Sequence, residues 1–102
     1  MKLTREQALR LHRQMWRDMQ TALGDNPSYT QRVLFKDEWC EKHFPDDAIF
    51  NNCFLCEYLI NVFGSHNCMK CLIKWPGTGC VSSNMYNKAP ISEILALPER
   101  RN

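Results

Sequence analysis

Between Thr4 and Pro27 the apolar positions recur at three- and four-residue steps, at Ala8, Leu11, Met15, Met19 and Ala22, widened by Leu9, Trp16 and Leu23. This is the period of an amphipathic α-helix, and it leaves Arg10, Arg13 and Arg17 together on another face. Thr4 and Gln7 have capping-box spacing, while Gly24 and Pro27 supply a stop, so a helix is predicted over roughly residues 5–23. The stretch "SYTQRVLFKDEWCEKHFP" repeats the pattern: Ser28 and Gln31 form the cap and Pro45 ends it, predicting a helix over roughly residues 29–44. The five residues between the two helices suit an antiparallel hairpin. Leu11, Met15, Trp16 and Met19 are expected to pack against Leu34, Phe35 and Trp39. Cys40, inside the second helix, reads as a small buried residue.

From Asp46 the periodicity gives way to short runs broken by Asn51, Asn52, Gly64, Ser65, Asn67, Pro76, Gly77 and Gly79. Such punctuation predicts turns and irregular pieces, with small strands at most. A last short helix is expected near "PISEILAL", with Pro90 in its first turn. The expected architecture is mainly α and forms one domain over 1–102. It comprises a helical hairpin (1–45), an irregular cysteine-bearing segment closing one end (46–82), and a tail with a short helix (83–102).

Within the irregular segment, "CFLCEYLINVFGSHNCMKC" places two C-x2-C pairs eleven residues apart. Two cysteines separated by two residues on a tight turn aim both sulfurs at one ion, and two such half-sites complete a tetrahedron. Cys53, Cys56, Cys68 and Cys71 are therefore the candidate ligands of one structural zinc, and Gly64 and Ser65 offer the turn that brings the halves together. Iron takes the same ligands, and a C-x2-C redox pair uses the same spacing, although the βαβ context that usually accompanies it is missing. Unligated thiols and disulfides are the remaining readings. Cys80 and His66 are alternative ligands that could replace one of the paired cysteines. A complete thiolate cage has no open coordination position for an activated water, so the site is expected to be structural rather than catalytic.

Location and charge refine this picture. The opening "MKLTREQALRLHRQ" has no apolar signal core, and no apolar run reaches the roughly 18 residues that span a bilayer. A cytoplasmic setting is expected, where thiols stay reduced and metal becomes their leading use. Hydrophobic residues make up 44% of the chain, which excludes intrinsic disorder. The formal charge of +2 hides a segregation. Residues 1–23 hold five basic and two acidic groups, whereas residues 25–52 hold three basic and six acidic groups. Four thiolates binding one divalent ion would bring the total near zero, which argues against strong nonspecific binding to nucleic acid. Asp46 and Asp47 are adjacent and do not read as a catalytic pair, and His12 and His43 have no nucleophile partner that the sequence identifies.

Taken together, "LRLHRQMW", "CFLCEY" and "CMKCLIKW", followed by a later cysteine, resemble small cysteine-bearing accessory proteins of bacteriophages and prophages. The likeness covers roughly residues 8–86. It implies a non-enzymatic protein acting inside a bacterial cell, where such proteins bind host proteins or block defence systems. No catalytic residue is carried over; the four paired cysteines come over as presumptive ligands. The expected function is a zinc-stabilised binding protein that inhibits or redirects a bacterial host protein, contacting it through Arg10, Arg13 and Arg17. The alternative is a zinc module that binds nucleic acid.

Overall fold

The computed structural model describes residues 2–49, 53–64, 70–75 and 88–100. They form four helices: α1 (Arg5–Leu23), α2 (Tyr29–His43), α3 (Phe54–Phe63) and α4 (Ile91–Ala96). Among the described residues the extended structure is one antiparallel bridge, between Ile73 and Glu99.

Both expected caps are present. Thr4 Oγ1 accepts from the Gln7 amide at 3.1 Å, and the Thr4 amide donates to Gln7 Oε1 at 2.9 Å. Ser28 and Gln31 make the same reciprocal pair at 3.2 and 2.8 Å. Each satisfies two amides that the first helical turn otherwise leaves without partners. Gly24 ends α1 with φ 85°, a conformation that a side chain would strain.

The second helix sits differently from the expected hairpin. It turns Arg32, Lys36, Trp39 and Cys40 inward and leaves Tyr29 and Leu34 more than half exposed. Leu34 therefore does not pack on α1, which corrects the expected pairing. Trp39 Nε1 donates to Asp18 Oδ2 at 2.8 Å, and the Arg32 guanidinium lies 5.9 Å from the centre of the Trp16 ring. These two anchors are seven residues apart on α2 but two apart on α1, so the helices meet around one region rather than along their lengths.

Arg32 explains the difference. Its Nε donates to the Pro27 carbonyl at 3.0 Å and its Nη2 to the Ala89 carbonyl at 2.7 Å. A buried guanidinium is tolerable when charge-assisted bonds replace its hydration. Here those bonds tie the α1–α2 turn to the segment entering α4.

The main partner of α1 is α3. An irregular segment was expected there; instead a ten-residue helix runs through the core. Phe54, Leu55 and Leu59 from α3 are fully buried with Met15, Trp16 and Met19 of α1, Ile91 and Ile94 of α4, and Ile73. Helix α3 and Ile73 thus bring the described part of the cysteine-bearing segment into the centre of the fold. The left-handed conformation of Gly64, φ 78°, stops α3 where the sequence suggested a turn.

Asp25 fixes α4, whose N-cap is Pro90 rather than a residue of its first turn. The Asp25 carboxylate accepts from the Ser92 amide at 2.7 Å, the Ser92 hydroxyl at 2.8 Å and Gln20 Nε2 at 3.0 Å, and the Asp25 carbonyl accepts from the Ile91 amide. Beyond α4, the chain runs back beside residues 72–74. The Lys74 amide donates to the Pro98 carbonyl at 2.9 Å, and the Arg100 amide to the Leu72 carbonyl at 2.7 Å. No helix among the described residues is long and apolar enough to cross a membrane.

Candidate metal centre and basic face

Cys53 is the N-cap of α3, and Cys56 lies three residues on, in its first turn. This placement follows from the C-x2-C spacing: the first sulfur folds back over the helix start and accepts from the Cys56 amide at 3.4 Å. The Cys53 thiol is held below its ordinary acidity range. The Cys56 thiol hydrogen bond is the largest cause, and Lys36 and the Cys56 and Leu55 amides assist against the opposing effect of burial. A thiol biased towards thiolate and a second sulfur in contact with it make one half of a soft-metal site.

Cys71 is buried and accepts from Trp75 Nε1 at 3.4 Å. It borders a depression with Tyr58 and Phe63, on the middle and end of α3, whereas Cys53 and Cys56 flank that helix's start. Cys68, Cys80 and His66 lie outside the described residues. Among the described residues, no three His, Cys, Asp or Glu side chains gather as a metal-binding group. The structure brings the Cys53 and Cys56 positions together, and Cys71 does not join them in a group of three.

Cys40 is buried, as the sequence suggested, and burial pushes its thiol up to about 11. Such a thiol stays protonated at neutral pH and makes a poor nucleophile.

His12, which the sequence left unassigned, is fully buried between Trp16 and Trp75, with ring centres at 6.5 and 6.2 Å and edge-on geometry. Among the described residues its Nε2 has no hydrogen-bond partner. Burial, followed by Arg13 and Lys36, lowers its pKa to about 3. The residue is a neutral core histidine. Its position in the apolar step pattern, one residue after Leu11, was the available signal.

Arg10, Arg13 and Arg17 do share a face. They border a depression of about 400 Å³ together with Arg5, Glu6 and Glu99. Glu99 comes from the tail and sits 3.1 Å from Arg13 and 3.6 Å from Arg5. Arg13 is therefore half engaged within the molecule, while Arg10 and Arg17 are exposed. Arg5 and Glu99 are the members of this face that the sequence reading missed, because a contact across more than ninety residues has no local signature.

Comparison of the chain with protein-family models, curated proteins and solved structures finds no match.

Proposed function

We propose that the chain is a non-enzymatic binding protein, braced by one structural zinc, that works by covering an anionic surface of a macromolecular partner. The observation that carries this reading is the depression on α1, where four arginines face two glutamates on the side of the helix turned away from the core. Arginine presents a planar fork of donors that suits carboxylates and phosphates, and it is a frequent energetic anchor at interfaces. The Cys53–Cys56 half-site supports the metal, whose role is to brace the start of α3. The resemblance to phage accessory proteins supplies the setting: the bacterial cytoplasm, with a host component as the target and counter-defence as the matching role.

The test is capture of a partner from bacterial lysate, followed by its identification. A double variant, Arg10→Glu with Arg17→Glu, should lose capture while zinc content and thermal unfolding stay unchanged. Undiminished capture would move the contact elsewhere, and turnover of a substrate by the purified protein would overturn the non-enzymatic reading.

A further inference from the structure

With the α1 face taken as the contact surface, as proposed above, the chemistry around Arg5 identifies what it contacts. Arg5 borders two depressions at once. One holds Arg10, Arg13 and Arg17; the other, about 340 Å³, holds Tyr58, Phe63, Lys70 and Arg100. None of the described residues bordering the second depression is acidic. The two hollows meet at Arg5, and together they line up six cations, from Arg17 on α1 to Lys70 near the end of α3, against Glu6 and Glu99, forming a basic band. At 1.5 Å per residue the α1 part alone is about 18 Å long. Asp37, Glu38 and Glu41 of α2 are exposed outside both depressions, so the near-zero overall charge of the zinc-loaded chain conceals a local surplus.

At its far end the band carries an aromatic ring. Phe63 remains 49% exposed, and the Lys70 ammonium lies 4.8 Å from its ring centre. Tyr58 is half-buried beside it. The internal bonds fix part of the band: Arg100 Nε donates to the Cys71 carbonyl at 3.0 Å, and Arg5 Nη2 to the Arg100 carbonyl at 3.2 Å. A basic track ending in an exposed ring is the combination that holds unpaired nucleotides, because cations follow the phosphates while bases stack on the aromatic face.

We infer that this band binds single-stranded nucleic acid, with phosphates along the α1 arginines, a base on Phe63, and Lys70 moving from the ring to a phosphate. A duplex keeps its bases stacked internally and offers none to Phe63. An acidic peptide would use the arginines but would gain nothing specific from the ring.

The experiment is fluorescence anisotropy on the zinc-loaded protein with labelled DNA and RNA single strands of roughly twenty nucleotides. The matching duplex and polyglutamate serve as comparison polymers, each across a salt series. Single strands should bind best. The Arg10→Glu, Arg17→Glu variant should weaken them at least tenfold and flatten the log–log salt slope by about 1.4, the share of two phosphate contacts. Phe63→Ala should weaken them by roughly tenfold with the slope unchanged. Tighter binding of the duplex or polyglutamate, or indifference to Phe63→Ala, would overturn the assignment. Binding of polyglutamate alone, lost in the arginine variant, would leave the α1 contact face standing and remove only the nucleic acid. Binding of none of the polymers, together with undiminished lysate capture by that variant, would remove both.

Discussion

Asp25 and Ser92 are 67 residues apart in the chain, yet the Asp25 carboxylate takes both the amide and the hydroxyl of Ser92. A carboxylate from the α1–α2 turn thus performs the capping that Pro90 cannot, and it favours the positive end of α4. Ser92→Ala and Asp25→Ala should each lower the melting temperature and loosen amide protection in α4 first, as read by hydrogen exchange. The Ser92 bonds, the largest cause, hold the Asp25 carboxyl below its ordinary value. A depressed carboxylate stabilises the fold above its unfolded pKa, and that stabilisation is lost as pH falls through the folded one.

His12 adds a pH dependence at milder acidity. Its folded pKa of about 3 lies below the ordinary histidine value of 6.5, so the unfolded chain binds the proton more readily. Stability is full above the unfolded value and falls as pH drops from there towards the folded value. Between pH 7 and pH 5 the loss should be about 2 kcal/mol, measured by denaturant unfolding. A His12→Gln variant should show a flatter profile over that range.

The metal proposal separates the cysteines. Purified under reducing conditions without chelator, the protein should carry about one zinc. Cys53→Ser and Cys71→Ser should lose it and unfold α3, since structural zinc contributes roughly 10–16 kcal/mol in finger peptides. Cys40→Ala should keep the metal, with elemental analysis as the measurement. Zinc-free wild-type protein with unchanged stability would reject the site.

Arg32 should be among the costliest polar residues to replace. Arg32→Met keeps much of the volume but leaves the Pro27 and Ala89 carbonyls without their donors, at a cost of about 2–3 kcal/mol. Denaturant midpoints would show it. A loss below about 0.5 kcal/mol would mean that water replaces the guanidinium.

Glu99 shields part of the basic band. Glu99→Gln should leave stability nearly unchanged, because ion pairs this exposed contribute little. It should tighten anionic ligand binding by roughly threefold, through the release of Arg5 and Arg13. Weaker binding would show instead that Glu99 positions those arginines.

The legible parts of this fold were those written locally. The capping boxes at Thr4 and Ser28 and the three-four rhythm of α1 each lie within a few residues, and they mark α1 and α2 nearly to the residue. The α3 helix escaped because the Asn, Gly and Pro punctuation around it read as turns, although "FLCEYLINVF" buries Phe54, Leu55 and Leu59 and exposes Asn61, Val62 and Phe63. The orientation of α2 escaped for a different reason. Leu34 read as part of its packing face with Phe35 and Trp39; Trp39 is buried and Phe35 packs on the core, but Arg32 finds two carbonyls inside and leaves Leu34 exposed. At the site, the C-x2-C spacing made Cys53 and Cys56 readable as partners. Lys70 and Arg100 come beside Arg5 only through long-range packing of residues 70–75 and the tail.

That tail also sets a timetable for folding. Arg5 at the start of α1 bonds the carbonyl of Arg100, and residues 98–100 stitch themselves to residues 72–74. Helices α1 and α2 can form during synthesis, but closing contacts separated by 95 residues must wait until nearly the whole described chain is available. Until then the apolar faces of α1 and α3 have no Ile91 and Ile94 against them. The nascent chain therefore passes through a sticky interval that closes when Ala89 and Ser92 reach Arg32 and Asp25 and seat α4 on those faces.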